Sequence, residues 1–315
     1  MMLPSSIRNV AIIGAGLAGI ACGARLAAAN LEVALFDKGR RPGGRFSTRR
    51  VDDLRFDHGA AYLREARRIG EPAALSLAEW RPRGREVTEP VWVGVPGMSA
   101  LPSTLAVDLD VRSGVRVEGL EGEPGAWSLV DDAGRGLGIF QAVAVAVPAP
   151  QAAPLLTAAP RLRETAQSAA MAPCWTGMFA FKEPLAVDID VIRPGDGIAE
   201  RAVRNSAKPD RPSEMDCWVV YGDDDWSRDH LEDDKEAVAE ALLESLTRAA
   251  GTGPRLPHYR AAHRWRYART LPPFSGPAFD PEALLGICGD WTSGPAGEDA
   301  VESGRALADL VLKSR

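Results

Sequence analysis

The chain has 315 residues, 45% of them apolar and 25% charged, which is the composition of an ordinary globular protein with room for one large or two smaller cores. Its net charge of −6 excludes a general affinity for nucleic acid or for an anionic membrane surface, and no apolar run approaches the ~20 residues of a membrane-spanning helix. Cys22, Cys174, Cys217 and Cys288 are too dispersed to indicate a disulfide framework or a metal site. We therefore expect a cytoplasmic protein with no metal, nucleic-acid partner or membrane partner.

A strand, a glycine-rich turn and a helix open the chain. The apolar residues 10–13 lead into G-A-G-L-A-G at 14–19, and an Ala-rich helix and a second strand follow before Asp37. This spacing is typical of a dinucleotide-binding unit: Gly14 permits the turn, Gly16 lets backbone amides approach a pyrophosphate, and Gly19 lets the helix lie close to the strands. Asp37 is placed to accept a hydrogen bond from a ribose hydroxyl. The alternative is an Ala- and Gly-rich helix that packs on a sheet without a ligand.

Two further motifs follow Asp37. Gly43-Gly44-Arg45 combines glycines that permit unusual backbone angles with a cation for a phosphate, and D-H-G-A occupies residues 57–60. In nicotinamide dehydrogenases the second strand usually leads into another parallel unit. Gly-Gly-Arg directly after the ribose acid instead resembles FAD-dependent enzymes of the glutathione-reductase and amine-oxidase superfamily, so the chain is predicted to hold FAD.

Arginines are frequent between residues 64 and 90, and they have two interpretations. They form either a solvated surface or a basic rim that receives the phosphates of a charged substrate. The residues concerned are Arg64, Arg67, Arg68, Arg81, Arg83 and Arg85.

The middle of the chain divides into strands and a separate body. After a short helix at 99–105, strand character is found at 115–117, 126–130 and 142–147, and the last run is continuously apolar, as in a strand buried on both faces. A different body is predicted over 154–257, with strands at 177–181, 199–204 and 217–221 and an amphipathic helix over 233–250. The run Asp223-Asp224-Asp225 predicts a solvated turn and no metal site, because no distant ligand accompanies it.

Residues 263–267 alternate as a strand does. His263, Trp265 and Tyr267 share one face, and Arg264 and Arg266 share the other. The aromatic face either borders an active site or belongs to an amphipathic core.

Several segments together carry a more specific resemblance. Besides D-H-G-A, they are M-A-P-C-W at 171–175, R-N-S-A-K-P at 204–209, W-S at 226–227 before H-L-E at 230–232, H-R-W-R-Y-A at 263–268 and C-G-D-W at 288–291. In this order they resemble renalase-like flavin oxidases, particularly the bacterial members, from residue 7 to residue 310. The chain departs from that pattern at Ala61 and Leu63, where the family commonly has a glutamine and a second aromatic, and in the short region 64–80.

The resemblance implies an α/β fold of the p-hydroxybenzoate-hydroxylase and amine-oxidase type. A Rossmann-like FAD-binding domain would comprise residues 1–60, 98–155 and 280–315. A substrate domain with an inserted mixed β-sheet and a helix would comprise residues 61–97 and 156–279.

The resemblance also implies non-covalent FAD and the residues that bind it. The strand before Gly289-Asp290 and the helix after them would complete the cofactor site. The predicted FAD-binding residues are Gly14, Gly16, Leu17, Ala18, Gly19, Asp37, Lys38, Gly44, Arg45, His58, Gly59, Ala60, Val117, Gly289, Asp290, Gly297 and Glu298.

The implied activity is oxidation of non-standard dihydro isomers of β-NAD(P)H to NAD(P)+, with O2 reduced to hydrogen peroxide. The residues predicted around the substrate ring are His58, Tyr62, Trp175, Asn205, His263 and Trp265, with Asn205 or His263 orienting the carboxamide. One alternative is a flavin amine oxidase or another FAD-dependent oxidoreductase of a small molecule. Another is a non-catalytic FAD-binding redox sensor.

Overall fold

The computed structural model describes residues 7–211 and 214–314, in which the chain forms eighteen strands and eight α-helices. The strands are β1 (Asn9–Ile13), β2 (Glu32–Asp37), β3 (Thr48–Val51), β4 (Leu54–Asp57), β5 (Leu77–Trp80), β6 (Val91–Gly94), β7 (Asp110–Ser113), β8 (Val117–Glu123), β9 (Ala126–Asp131), β10 (Gly136–Phe140), β11 (Ala142–Val145), β12 (Ala170–Phe181), β13 (Val191–Ile192), β14 (Ala199–Arg204), β15 (Asp216–Gly222), β16 (Tyr259–Leu271), β17 (Ala278–Asp280) and β18 (Leu285–Ile287). The helices are α1 (Leu17–Ala27), α2 (Ala100–Leu105), α3 (Ala149–Ala152), α4 (Pro160–Ser168), α5 (Asp224–Asp229), α6 (Lys235–Ala249), α7 (Asp290–Ser293) and α8 (Gly297–Lys313).

These elements pack into two compact units. The first takes the chain up to Gly44, Pro102–Met171 and everything from Thr270 onward, and the second takes Arg45–Leu101 and Ala172–Arg269. The motifs place residues 45–60 in the FAD-binding domain, whereas their packing places them in the second unit. The assignment stays a prediction about cofactor contact, because packing does not report which residues touch a cofactor.

The first unit is built on a six-stranded sheet, called here the Rossmann sheet, with the order β17-β18-β11-β1-β2-β7. Its strands are parallel apart from β17, which runs antiparallel to β18. All four residues of β11 are buried between β1 and β18, which explains the continuous apolar run in the sequence. Helices α1 and α8 cover one face of the Rossmann sheet with the side chains of Ile20, Leu26, Leu307 and Val311. A three-stranded antiparallel meander, β8-β9-β10, belongs to the same unit.

The second unit is built on a five-stranded sheet, called here the second sheet, with the order β13-β14-β15-β12-β16. Helix α6 starts at the side chain of Asp234, which accepts from the backbone amides of Glu236 and Ala237. Its apolar residues, including Val238 and Leu242, pack on Trp175, Ala202 and Val220 of the sheet. Hairpins β3-β4 and β5-β6 complete the unit.

The predicted α/β class, with a Rossmann-like sheet and a second body of strands and a helix, is confirmed. Two strand predictions need correction: the strand placed at 115–117 runs instead from Val117 to Glu123, and the strand placed at 177–181 starts at Ala170. The amide of Val115 is bonded to the carbonyl of Asp37, so the meander begins only after it. Over the described ranges, none of the helices has the length and apolar character required to cross a bilayer.

Candidate active site

The glycine-rich turn after β1 contains glycines of two kinds. Gly14 has φ +105°, and a Cβ there would lie 2.7 Å from the carbonyl oxygen of Ala146, while a Cβ on Gly19 would overlap the carbonyl of Gly14. Both glycines are therefore required by the protein's own packing. Gly16 has φ −74°, and a Cβ there would meet no atom within 4 Å. The protein itself leaves space beside Gly16, as a close approach of a ligand pyrophosphate requires.

Helix α1 presents its N-terminus to this space. It has no side-chain cap and no acidic residue in its first turn, and Leu17 and Ala18 are buried. The first backbone amides of the helix thus have no partner within the helix and can donate to an anion.

Asp37 closes the turn from the end of β2. Its carboxylate accepts hydrogen bonds from the amides of Ala15 at 2.7 Å and Gly39 at 2.6 Å. Because each carboxylate oxygen has two lone pairs, both oxygens can still accept from a ribose hydroxyl. Lys38 beside it is half-buried, and burial, with a contribution from Arg116, lowers the pKa of its ammonium group.

The predicted C-terminal half of the cofactor site lies at the same edge of the Rossmann sheet. Phe36, Ile13, Val145 and Ile287 are aligned across β2, β1, β11 and β18, which are parallel. The segments that follow these strands therefore emerge together, and they include Asp37, Gly14 and Gly289-Asp290. Ligands of open α/β sheets bind at this carboxyl edge.

The other predicted cofactor residues of the first unit are Gly44, Val117, Gly297 and Glu298. Gly44 has φ +55°, Val117 begins β8, and Gly297 and Glu298 form the first turn of α8. Their contact with FAD stays a prediction.

In the second unit, His58, His263 and Trp265 form one cluster, called here the imidazole–indole cluster. The two imidazole centroids are 4.9 Å apart, and the indole lies 5.4 Å from His58 and 4.4 Å from His263. The indole Nε1 donates to the carbonyl of His58 at 2.8 Å. The structure thus brings together three of the six residues predicted around the substrate ring, from segments 207 residues apart in the chain.

Both imidazoles of the cluster are neutral at physiological pH. Burial lowers the pKa of His58 to about 4, and the positive charge of Arg49 adds to that effect. Burial also lowers the pKa of His263 to about 4, helped by His58, Arg49 and Lys235. Nδ1 of His58 lies 3.4 Å from the carbonyl oxygen of Phe56, which can only accept. The Nδ1–H therefore donates to it, and Nε2 of the neutral ring is an acceptor.

A buried ion cluster holds the segment that carries His58. Asp57 is fully buried and accepts from Lys208 at 3.0 Å, Arg211 at 2.8 Å, Thr48 at 2.7 Å and the amide of Met98 at 2.9 Å. Burial alone would raise the pKa of Asp57, but the two cations hold it well below its usual range. Burial lowers the pKa of Lys208 to about 8. Sequence reasoning missed this cluster, although Asp57 and Lys208 lie within the motifs that carried the resemblance.

Three residues predicted beside the substrate ring lie elsewhere in the second unit. Trp175 is fully buried, packs on α6 and donates from Nε1 to the carbonyl of His230 at 2.9 Å, so it is a core residue. The ring centroid of Tyr62 lies 5.6 Å from the guanidinium carbon of Arg64 and 5.7 Å from that of Arg201.

The third is Asn205, which is fully buried and bonded to main-chain atoms at both ends of its amide. It donates to the carbonyl of Arg55 at 2.7 Å and accepts from the amide of Asp57 at 3.3 Å. These two bonds show that Asn205 holds β4 in place, and its role of orienting a carboxamide stays a prediction.

The remaining predicted cofactor residues, Arg45, Gly59 and Ala60, contact each other. The amide of Ala60 donates to the carbonyl of Arg45 at 2.9 Å, and a Cβ on Gly59 would overlap that carbonyl. The guanidinium of Arg45 donates to the carbonyl of Ala268 at 3.0 Å. Among the described residues no group of histidine, cysteine or acidic side chains could hold a metal ion.

Comparison with known families decides the assignment. Residues 83–312 match the family described as flavin containing amine oxidoreductase, and residues 12–71 match the NAD(P)-binding Rossmann-like domain. The chain belongs to the flavin-containing amine oxidoreductase family. This membership confirms the predicted FAD cofactor and places the protein among the FAD-dependent oxidoreductases. The space beside Gly16, the open N-terminus of α1 and the available lone pairs of Asp37 fit the pyrophosphate and ribose of that cofactor.

Solved structures show the same fold at low identity. A protein provisionally described as a protoporphyrinogen oxidase from Exiguobacterium sp. 255-15 is 13% identical, with a TM-score of 0.77 over 98% of this chain and 99% of that one. Cyclohexylamine oxidase from Brevibacterium oxydans IH-35A is 13% identical, with a TM-score of 0.73 over 98% and 99% of the two chains. A putrescine oxidase variant is 13% identical, with a TM-score of 0.72 over 98% and 100%. The amine-oxidase-like architecture is therefore confirmed for this family member.

Matches to curated sequences are short. Two 4,4'-diapophytoene desaturases, from Staphylococcus aureus (strain MRSA252) and Staphylococcus haemolyticus (strain JCSC1435), are 42% and 44% identical over 55 and 50 residues. These segments are 18% and 16% of this chain and only 11% and 10% of the desaturases, so the match spans about a tenth of the relatives' length.

Proposed function

We propose that this family member is an oxidase that converts non-standard dihydro isomers of β-NAD(P)H to NAD(P)+. The substrate and one proton react with O2 to give NAD(P)+ and hydrogen peroxide. The dihydropyridine ring gives up a hydride, and oxygen takes up two electrons and two protons. Bound FAD supplies the acceptor for that hydride and the route of the electrons to oxygen. The motifs that resemble renalase-like flavin oxidases support this proposal, as does the family membership.

The observation that carries the proposal is the charge of the imidazole–indole cluster. Both of its imidazoles are neutral, and Arg49 and Lys235 add positive charge around them. Asp57 is the one acid among the charges that act on these imidazoles, and Lys208 and Arg211 already neutralise it. Among the residues that the structure describes, a cationic amine would find no unneutralised carboxylate there. A neutral dihydropyridine ring can stack on the indole without needing a counter-charge.

The same charges favour release of the product. Oxidation converts a neutral ring into a pyridinium cation, which Arg49 and Lys235 repel. His263 takes the role of orienting the carboxamide, because a neutral imidazole offers one donor and one acceptor, whereas Asn205 is fully buried and holds β4. Trp265 fixes the segment of His58 through its indole hydrogen bond.

The second candidate is oxidation of a small amine. The family's description favours it, and so does the shared fold with structures described as putrescine oxidase and cyclohexylamine oxidase. The neutral, cation-surrounded cluster argues against a charged amine as the substrate at this position.

Anaerobic mixing of the yellow holoenzyme with each compound tests the two proposals. Dihydro isomers of NADH should bleach the flavin absorbance within seconds, whereas β-NADH, putrescine and cyclohexylamine should not. Readmitting oxygen should restore the yellow colour with one hydrogen peroxide per reduced flavin. Rapid bleaching by an amine and none by the isomers would establish the second candidate in place of the first.

A variant of His263 tests the assignment of the cluster. His263→Ala should keep its bound flavin and reduce it more slowly. His258→Ala is the matched control, because His258 is exposed and lies on the same stretch of chain. Equal rates of flavin reduction in the two variants would remove His263 from the substrate site.

A further inference from the structure

Arg201 lies on strand β14 of the second sheet. It pairs across the strands with Tyr221 of β15, which in turn pairs with Thr176 of β12. Directly paired residues share a face, so these three side chains form one row. The neighbouring row of Ala202, Val220 and Gly177 faces the opposite way, toward helix α6. The row that contains Arg201 therefore lies on the sheet face turned away from the helix.

The imidazole–indole cluster lies on that same face. The guanidinium of Arg264 is 5.6 Å from the ring centroid of Trp175, which packs on α6, so Arg264 is on the helix side. Alternation along β16 then places His263 and Trp265 on the other side. Strand β14 and strand β16 are separated by β15 and β12, which corresponds to about 14 Å between their axes. An arginine side chain and an extended nucleotide together span that distance.

Arg201 has no anionic partner among the described residues. The arginines around it do: Arg204 contacts Asp216 and Asp190, Arg211 contacts Asp57, and Arg269 contacts Glu200 and Asp224. The Nε atoms of Arg201, Arg204 and Arg211 are all buried without a hydrogen-bond acceptor, but Arg201 alone of the three also lacks an ion pair with a described residue. A guanidinium in this setting lacks the anion that ordinarily compensates its removal from water.

Two aromatic rings lie against Arg201, and the acid that acts on its charge, Glu200, already pairs with Arg193 and Arg269. The guanidinium carbon of Arg201 lies 4.9 Å from the ring centroid of Tyr221 and 5.7 Å from that of Tyr62. Burial raises the pKa of Tyr221 and raises the pKa of Cys174 to about 11, so neither side chain supplies a negative charge at neutral pH. The rings hold the guanidinium in place and leave its N–H groups for an external acceptor.

We infer that Arg201 is the receptor for an oxyanion of the substrate, a phosphate in the case of a dihydronicotinamide nucleotide. The planar guanidinium can bind two oxygens of such a group at once. Arg64, whose guanidinium carbon is 5.6 Å from the ring centroid of Tyr62, also has no ion pair among the described residues and adds positive charge near Arg201. This inference rests on the proposed function, which supplies the phosphate-bearing substrate. An amino acid substrate would present a carboxylate to the same guanidinium.

Ligand pairs that differ only in the anion test the inference on the oxidised holoenzyme. Nicotinamide mononucleotide and nicotinamide riboside differ by a phosphate, and phenylalanine and phenethylamine differ by a carboxylate. Dissociation constants are measured by calorimetry and from the flavin absorbance change, so no turnover is needed. Arg201→Gln should raise the constant for nicotinamide mononucleotide about 10- to 100-fold and leave that for the riboside within about twofold.

Two further variants make the result interpretable. Arg201→Lys keeps the positive charge but lacks the planar guanidinium that binds two oxygens at once. Its dissociation constant for nicotinamide mononucleotide should lie between those of wild type and Arg201→Gln. This variant also keeps the test available if Arg201→Gln does not fold. Arg228→Gln removes one positive charge from an exposed arginine of the same unit. It should not change the dissociation constant of nicotinamide mononucleotide or that of nicotinamide riboside.

The outcomes separate this inference from the proposed function. A loss of affinity confined to nicotinamide mononucleotide supports both the inference and the proposed function. A loss confined to phenylalanine supports an oxyanion receptor at Arg201 and refutes the dinucleotide substrate. Equal effects within each pair, or no effect in any variant, overturn the inference whatever the substrate is.

Discussion

Replacing His58 by glutamine should remove much of the acid sensitivity of this protein between pH 6.5 and pH 4. His58 is buried and neutral in the folded state, where its pKa is about 4, whereas an unfolded histidine has a pKa of 6.5. Between these two values the unfolded chain binds a proton at His58 and the folded protein does not. The free energy of unfolding therefore falls as the pH is lowered through this range.

The size of the effect follows from the two pKa values. The difference between 6.5 and about 4 corresponds to about 3 kcal/mol of unfolding free energy, present in full above pH 6.5 and lost by pH 4. Loss of the hydrogen bond from Nδ1 to the carbonyl of Phe56 would cost about 1 kcal/mol at every pH. That cost lowers the free energy of unfolding of the variant by the same amount at each pH and does not change its dependence on pH. Asp57 has its pKa held below the usual 3.8, so its stabilisation is lost only in more acid solution.

Urea unfolding of the holoenzyme from pH 4 to pH 7.5 measures this difference directly. The pH-dependent loss should be about 3 kcal/mol smaller in His58→Gln than in wild type. The chain has four histidines, so their NMR titrations can be resolved individually. The pKa of His263 should rise in the variant, because His58 contributes to lowering it. A wild-type His58 that titrates near 6.5, or parallel stability curves for the two proteins, would refute the reasoning.

Two further predictions concern the glycine turn and the buried ions. Gly16→Ala should change the stability of the apoprotein by less than about 1 kcal/mol. The same variant should weaken FAD binding about tenfold or more, as followed by flavin fluorescence. Gly19→Ala should instead lower the melting temperature, because its Cβ would overlap a carbonyl group. Asp57→Asn should cost about 3–5 kcal/mol in urea unfolding at pH 7, because Lys208 and Arg211 would lose their shared carboxylate. Lys208→Met should cost clearly less, and equal losses in the two variants would contradict this ranking.

Local patterns in the sequence were sufficient for the Rossmann sheet. The glycine spacing, the acid at Asp37 and the apolar run of β11 each report a short stretch of chain, and the structure places them as predicted. The alternation in β16 is equally local. His263 and Trp265 face His58, and Arg264 and Arg266 both pair with Glu232.

The arrangement of the second unit depended on contacts that no local pattern reports. Strand β12 is apolar on both faces, so alternation separates Trp175 from Thr176 but does not tell which of them meets α6. The partners Asp57 and Lys208 are 151 residues apart. The arginine-rich stretch after residue 64 left a solvated surface and a basic rim for phosphates both open, and Arg81 and Arg83 there are engaged with acids.

Arg201 could not be distinguished in the sequence from Arg204 three residues later. Both lie on β14, and strand alternation places them on opposite faces. Arg204 pairs with two aspartates, whereas Arg201 lies against the rings of two tyrosines. The difference depends on β15 and on the segment of Tyr62, which come from distant parts of the chain. Only the three-dimensional contacts show that Arg201, unlike Arg204, forms no ion pair with a described residue.

The charges of the second unit favour an anionic substrate with a neutral reacting ring. The buried ions Asp57, Lys208 and Arg211 sum to one positive charge, and Arg201 adds a second without a counter-ion among the described residues. A cationic substrate would have to displace or neutralise these groups, at a cost that grows as water is excluded. A phosphate-bearing ligand instead supplies the missing charge and leaves its ring to the neutral imidazole of His263. Under the proposed function, the arginine on β14 and the imidazole on β16 together determine substrate choice, and the two can be varied independently.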